Sequence, residues 1–107
     1  MVSGKVSVVI PTRGKSRLVK NCLTELFRSV GTIPVEVVVM EQGGDECGEM
    51  LPAHFPTKPV TRLVSEEGWS FSEINNAGVA STDGEFILLL NNDTISRKGF
   101  LEKMLAA

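Results

Sequence analysis

The 107-residue chain has no tyrosine, one tryptophan, one histidine and two cysteines. Cys22 and Cys47 lie far apart with no Cys-x-x-Cys spacing, which excludes a disulfide-rich scaffold and makes reduced thiols the expected state. His54 stands alone among prolines, at no useful spacing from Cys47 for zinc, and reads as a solvated loop residue. Neither sign of charge dominates. Eleven Lys and Arg face thirteen Asp and Glu, a formal charge of −2, and no basic run is interleaved with aromatics, so nucleic acid is not an expected partner. Long apolar runs are missing too. The longest, Phe86 to Leu90, falls far short of the roughly 20 residues of a membrane-spanning helix, and the Met-Val-Ser-Gly-Lys start has no apolar stretch of signal-peptide type. The reading is a soluble, cytoplasmic protein whose length predicts one domain.

What is present is an alternation of strand and helix patterns. VSVVI, Val6 to Ile10, is β-branched and nearly all apolar, as a strand covered on both faces must be, and Pro11 is expected to end it. From Ser16 to Val30 the residues Leu18, Val19, Cys22, Leu23, Leu26, Phe27 and Val30 recur at helical spacing, with Ser16 as the cap and Gly31 as the stop. Val35 to Met40 repeats the buried-strand pattern. The Gly-, Pro- and acid-rich segment from Glu41 to about Pro59 predicts a loop. Val60 to Val64 is a third strand. Ser70-Phe71-Ser72-Glu73 has capping-box spacing and opens a helix whose small residues Ala77, Gly78 and Ala80 allow close packing on a sheet. Phe86 to Leu90 is the fourth strand, and Lys98 to Ala106 a closing helix with Phe100, Leu101, Met104 and Leu105 on one face.

Connections this long imply parallel pairing and right-handed crossovers, hence a doubly wound, mainly parallel α/β sheet with strand order 3-2-1-4. The first and fourth strands are then neighbours whose connections leave in opposite directions, and ligands of such sheets bind beyond the carboxyl ends at that point. Pro11, Thr12 and Arg13 fall there after the first strand, and Asn91, Asn92 and Asp93 after the fourth. Glu41 closes the second strand one position outward. One carboxylate with two amides suits a magnesium or manganese ion that keeps waters and takes further oxygens from a ligand's phosphates. The same Asn-Asn-Asp-Thr run also suits a turn that caps the next helix. Arg13 is either a bidentate donor to a diphosphate or a surface residue. Gly14-Lys15-Ser16 looks like the end of a phosphate-binding loop, but Val9 stands where that motif requires glycine. Asp45, Glu46 and Glu49 read as a solvated acidic loop, with an ion site as the rarer alternative, and Trp69 and Phe71 as anchors packed into the core, with stacking on a ligand base as the alternative.

Four segments together resemble the family 2 glycosyltransferases, which have the GT-A nucleotide-sugar-binding fold. They are VSVVIPTRG at Val6 to Gly14, EVVVMEQGG at Glu36 to Gly44, WSFSEINNAGVAS at Trp69 to Ser81, and GEFILLLNNDT at Gly84 to Thr94. They follow family order and span nearly the whole chain, and the block from WSFSEINNAG to LNNDT is similar to bacterial transferases of surface-polysaccharide biosynthesis, often of rhamnosyl type.

The resemblance implies a nucleotide-diphospho-sugar donor held by Pro11, Thr12, Arg13, Glu41, Asn75, Asn76, Asn91 and Asn92. By that likeness Thr12 and Glu41 contact base and ribose, although the family usually has Asp at the Glu41 position. Asn91, Asn92 and Asp93 correspond to the family's Asp-x-Asp motif, with Asp93 left as the ligand of Mn2+ or Mg2+. Asn75 stands where many members carry Arg, whereas Asn76 and Gly78 are kept. Such enzymes invert the anomeric centre with a carboxylate base that lies well after the metal motif, and Asp83, Glu85 and Glu102 do not match its position. The expectation is therefore a single truncated domain, residues 1–107, corresponding to the donor-binding, Rossmann-like half of a GT-A transferase that lacks base and acceptor site. A non-catalytic nucleotide-sugar-binding or interaction module of the same fold is the alternative. The strand from Gly84 to Leu90, with no Pro or Lys between Phe86 and Leu90, is expected to form an unprotected sheet edge and to pair in a homo-oligomer.

Overall fold

The computed structural model describes residues 2–43, 46–66 and 68–106. Strands β1 (Val2–Thr12), β2 (Val35–Gln42), β3 (Val60–Ser65) and β4 (Gly84–Leu89) form one parallel sheet in the order β3-β2-β1-β4. Helices α1 (Ser16–Ser29), α2 (Glu46–His54), α3 (Phe71–Ala80) and α4 (Phe100–Ala106) complete the chain. The predicted fold class and strand order are those observed.

Alternation along β1 and β2 divides the core in two, because successive side chains of a strand point to opposite faces. Val6, Val8, Ile10, Val37 and Val39 pack with Val19, Cys22, Leu23 and Leu26 of α1, Cys47 and Leu51 of α2 and Leu101 of α4. Val9, Val38 and Met40 face the other way and pack with Ile74 of α3. Burying each such aliphatic side chain contributes about 1.5–3 kcal/mol, so the two-sided cover of β1 is the main source of stability. The connection from β1 through α1 therefore lies on one face of the sheet, while α3, which leads into β4, lies on the other.

Four boundaries differ from the sequence reading. The first strand starts at Val2 rather than Val6, with Lys5 bridging to Glu36 at 2.5 Å and Asp83 at 2.6 Å across its neighbours. Pro11 does not end the strand but pairs in register with Met40. Val6 donates to Pro34 on the β2 side while Val9 accepts from Leu90 on the β4 side, so the donor that Pro11 lacks belongs to the β4 side, past the last β4 pair at Leu89. The predicted loop after Glu41 contains α2, with Pro52 in its last turn and Glu46 and Glu49 in its first, where carboxylates complement the helix dipole. His54 is the exposed last residue of that helix, and Asp45 lies outside the described residues. The cap of α1 is Lys15, not Ser16, and no side chain caps it.

The capping box predicted at Ser70 and Glu73 is present in both directions. It starts α3 so that Gly78 lies directly on the sheet. A β-carbon there would stand 2.7 Å from Val9 Cγ1 and 3.0 Å from Met40 Cγ. Strand β4 is an edge, with Phe86 and Ile87 each 42 % exposed and Leu89 52 %.

Gly78→Ala gains about 1 kcal/mol of helix propensity but overpacks the sheet contact at a cost of about 1–3 kcal/mol. A net loss of about 1 kcal/mol is expected in urea unfolding; a variant more stable than wild type would show that α3 can lift away freely.

Candidate functional site

At the carboxyl end of the sheet, where β1 and β4 part, a cavity of about 510 Å³ opens. Six of the predicted residues line it: Pro11, Thr12 and Arg13 from the end of β1, and Asn91, Asn92 and Asp93 following β4. The parallel register delivers both segments to one point, since β4 stops against Val9 and each chain then turns away.

The geometry of this junction follows from one proton. Thr12 is buried, and its hydroxyl donates to the Gly14 carbonyl at 2.6 Å. Having spent its proton, the Thr12 oxygen can only accept, and it does so from Asn92 Nδ2 at 2.9 Å. Asn92 is thereby fixed with its amino group inward, leaving its carbonyl oxygen as the group it can offer a ligand. The Asn91 carbonyl accepts a weak bond from Cys22 Sγ at 3.7 Å. Burial first and the Asp93 charge second push the Cys22 thiol up to about 11, which keeps it protonated and inert.

Three predicted site residues are placed elsewhere. Glu41 is fully buried and does not line the cavity. Its Oε1 accepts from Arg62 Nε at 2.7 Å and its Oε2 from the Cys47 backbone N–H at 3.1 Å. Cys47 is the second residue of α2, so Glu41 satisfies a free N-terminal donor of that helix and meets its dipole. Alternation explains the placement, since Glu41 shares parity with Val37 and Val39 on the α1 and α2 side. Gln42 shares parity with Val38 and Met40, and it is Gln42 that reaches the cavity. Asn75 is buried with its Oδ1 unpartnered among the described residues, and Asn76 is exposed; neither lines the cavity.

Four further residues line the cavity: Gln42 and Ile74, which no motif in the sequence singles out, and Trp69 and Phe71, the aromatic pair for which ligand stacking is the alternative to core packing. Gln42 Nε2 donates to the Trp69 carbonyl at 3.3 Å. Trp69 packs against the core under α3 while also walling the cavity. Phe71, expected in the core, is 65 % exposed at the start of α3. A second cavity of about 430 Å³ shares Arg13 and Gln42 with the first and adds Val64, Ser65 and Gly68. Ser65 Oγ is buried there without a partner among the described residues, a group that a ligand's polar edge would satisfy.

Residues 7–107 match glycosyl transferase family 2. The chain belongs to that family. An uncharacterized glycosyltransferase, YwdF of Bacillus subtilis (strain 168), is 26% identical over 100 residues, covering 94% of this chain and 37% of the relative. The fold is that of S. aureus TarS 1–349, with a TM-score of 0.80 at 21% identity over 95% of this chain and 31% of TarS. The mannosyltransferase PcManGT from Pyrobaculum calidifontis, solved with GDP-Man and Mn2+, superposes with a TM-score of 0.77 at 19% identity over 94% of this chain and 31% of that one. TarS in complex with UDP-GlcNAc gives 0.77 at 22% identity, with 95% and 30% covered. The chain thus spans about a third of the length of these relatives, and its sheet has the fold of the matching portion of those structures. No helix among the described residues is long and apolar enough to cross a membrane.

Asp93 is exposed, and no group of three or more His, Cys, Asp or Glu that could hold a metal occurs among the described residues. One carboxylate flanked by amide oxygens does not cage an ion by itself, but it fits a hard divalent cation that completes its shell with water and phosphate oxygens.

The Glu41–Arg62 pair is assigned a structural role, and Arg62→Met tests it. The substitution strands a buried carboxylate, and with the Arg62 side chain 26 % exposed a loss of about 3 kcal/mol in unfolding free energy is expected. Unchanged stability would return Glu41 to the pool of ligand-binding candidates.

Proposed function

We propose that this chain binds a nucleoside-diphosphate sugar across the end of its sheet and serves as the donor-binding portion of a metal-assisted, inverting glycosyltransferase acting on a saccharide acceptor. The observation that carries the reading is the cavity that gathers Arg13, Asn91, Asn92 and Asp93 at the β1/β4 junction in a family 2 chain. The neighbours solved with UDP-GlcNAc and with GDP-Man and Mn2+ support the choice of ligand.

In this reading Arg13 donates to the diphosphate, and the Asn92 carbonyl, aimed by Thr12, accepts from a ribose or sugar hydroxyl. Trp69 and Phe71 offer aromatic faces to base or sugar, and Ser65 and Gln42 meet the polar edge of the base. Asp93, with the neighbouring amides, would hold Mn2+ or Mg2+, whose charge offsets the charge that builds on the departing diphosphate. An inverting transfer also needs a carboxylate to take the proton of the acceptor hydroxyl. Asp93 is the one carboxylate among the described residues lining the cavity, and it cannot serve as metal ligand and base together. That observation favours a second reading for the chain by itself, a nucleotide-sugar-binding module without turnover.

Calorimetry with UDP in the presence and absence of Mn2+ tests the site. Each ligand is expected to tighten the other about tenfold or more, a coupling that must be reciprocal, and Asp93→Ala should abolish the coupling while changing stability by no more than about 0.5 kcal/mol, as for other exposed positions. Equal UDP affinity with and without Mn2+ overturns the metal assignment. Self-association through the bare β4 edge is also proposed, because an apolar, unblunted edge is a template for another strand; light scattering that finds a monomer at high micromolar concentration removes it.

A further inference from the structure

Among the described residues, Lys15 is the one non-glycine residue with a positive φ, at 59°. It follows Gly14, itself left-handed at 67°. A residue with a side chain keeps that conformation only where its surroundings over-determine it. Here the determining contact comes from α2, the neighbouring helix on the same face of the sheet. Glu46 Oε2 accepts from the Lys15 backbone N–H at 2.7 Å, and the same carboxylate lies so close over the turn that a β-carbon at Gly14 would fall on it.

Glu46 is the first residue of α2, and α2 is itself fixed at that end. The Cys47 N–H donates to Glu41, and Glu41 accepts from Arg62 of β3. From the turn onward the path runs into the cavity, since the Gly14 carbonyl accepts the Thr12 proton and the Thr12 oxygen accepts from Asn92. A continuous series of polar contacts and peptide bonds therefore joins Arg62, at the third strand, to an amide that lines the cavity. Glu46 is its exposed middle link and does not line the cavity itself.

We infer that Glu46 is a positioning residue for the donor cavity. Its carboxylate clamps the Gly14–Lys15 turn in the left-handed form, the turn aims the Gly14 carbonyl, and that carbonyl sets the Thr12 hydroxyl and hence the orientation of the Asn92 amide. Without the clamp Lys15 relaxes toward a right-handed conformation, the Thr12 proton loses its fixed acceptor, and Asn92 is free to turn either its oxygen or its nitrogen toward Thr12. The inference rests on reading this cavity as a nucleotide-sugar site, and its test separates the two.

The full chain is compared as wild type, Glu46→Ala, Glu46→Gln and the double variant Glu46→Ala with Lys15→Gly. Two readouts are taken: NMR resonances of the Lys15 backbone amide and the Asn92 side-chain amide, and UDP affinity by calorimetry with Mn2+ present. In Glu46→Ala the Asn92 resonances should shift or broaden and UDP affinity fall about tenfold. Glu46→Gln, which keeps a neutral acceptor, should lie between. Glycine at position 15 adopts the left-handed form without assistance, so the double variant should recover both the Asn92 resonances and most of the affinity, a rescue that a general loss of stability would not give. If Glu46→Ala does not fold, Glu46→Gln and the double variant decide in its place. Asn92 resonances unmoved by removal of the carboxylate overturn the inference, whether or not UDP affinity changes. A wild-type chain that binds no UDP overturns the functional reading alone, and the resonances still decide the clamp.

Discussion

Strand β1 has no solvent-facing side from Val6 to Ile10, and most of the structure follows from that constraint. Three residues of one parity need apolar cover from α1, and Val9 of the other parity needs it from α3. Two helices that both lead into or out of neighbours of β1 must therefore sit on opposite faces. The helix after β4, α4, returns to the α1 face, and a crevice remains at the carboxyl end of the sheet between the segments that follow β1 and β4. The one polar residue inside that stretch, Ser7, is buried and accepts from the Gly84 N–H, and the polar groups that line the cavity come at the end of the strand. The same constraint fixes how near α3 comes, because Gly78 lets its backbone rest on Val9 and Met40. That close approach carries Trp69, Phe71 and Ile74, at the start of the helix, to the wall of the cavity.

The acidic residues divide between two tasks. Glu41 and Glu46 turn inward on the α2 side, where one holds the start of the helix and the other the turn after β1. Asp93 alone faces the cavity. The extra methylene of glutamate at position 41, where family members usually carry aspartate, lengthens its reach toward Arg62 and the Cys47 N–H. Burial and then the nearby Glu41 carboxylate push the Cys47 thiol up to about 12, so it remains a neutral packing group beside this pair.

Strand order, the two-sided burial of β1 and β2, the capping box at Ser70 and the convergence of Pro11 to Arg13 with Asn91 to Asp93 were legible in the sequence. Each rests on local periodicity or on a rule of chain connection. The misreadings share a different cause. Helix α2 was read as loop because Gly48, Pro52 and its glutamates resemble loop composition, yet it is held by contacts from Glu41 and against Leu23 and Leu26 of α1 through Cys47 and Leu51. Glu41 holds the base- and ribose-binding place by position in a motif, while the parity of Val37 and Val39 directs its side chain to α2 and Arg62. Phe71 was assigned to the core by its character, but it precedes the buried stripe of α3, which begins at Ile74. Tertiary partners set each of these placements.

The charge of the cavity explains why donor and metal are proposed to bind as one unit. Among the described lining residues, Arg13 and Asp93 are the charged pair, so the protein presents a surface that is close to neutral. A sugar-diphosphate dianion entering alone would gain little from such a surface, since attraction to Arg13 is offset by repulsion from Asp93. A divalent cation entering alone meets the mirror image of that balance. Together they leave the site as neutral as they found it, and the attractions of cation to Asp93, cation to phosphate and phosphate to Arg13 then outweigh the two like-charge repulsions that remain. The buried Thr12 and the half-buried Asn92 add no charge to this balance, and their part is to set direction. A site so built depends less on the strength of any one group than on direction, and in the proposed clamp the turn at Gly14 and Lys15 sets the direction of the Asn92 carbonyl through Thr12.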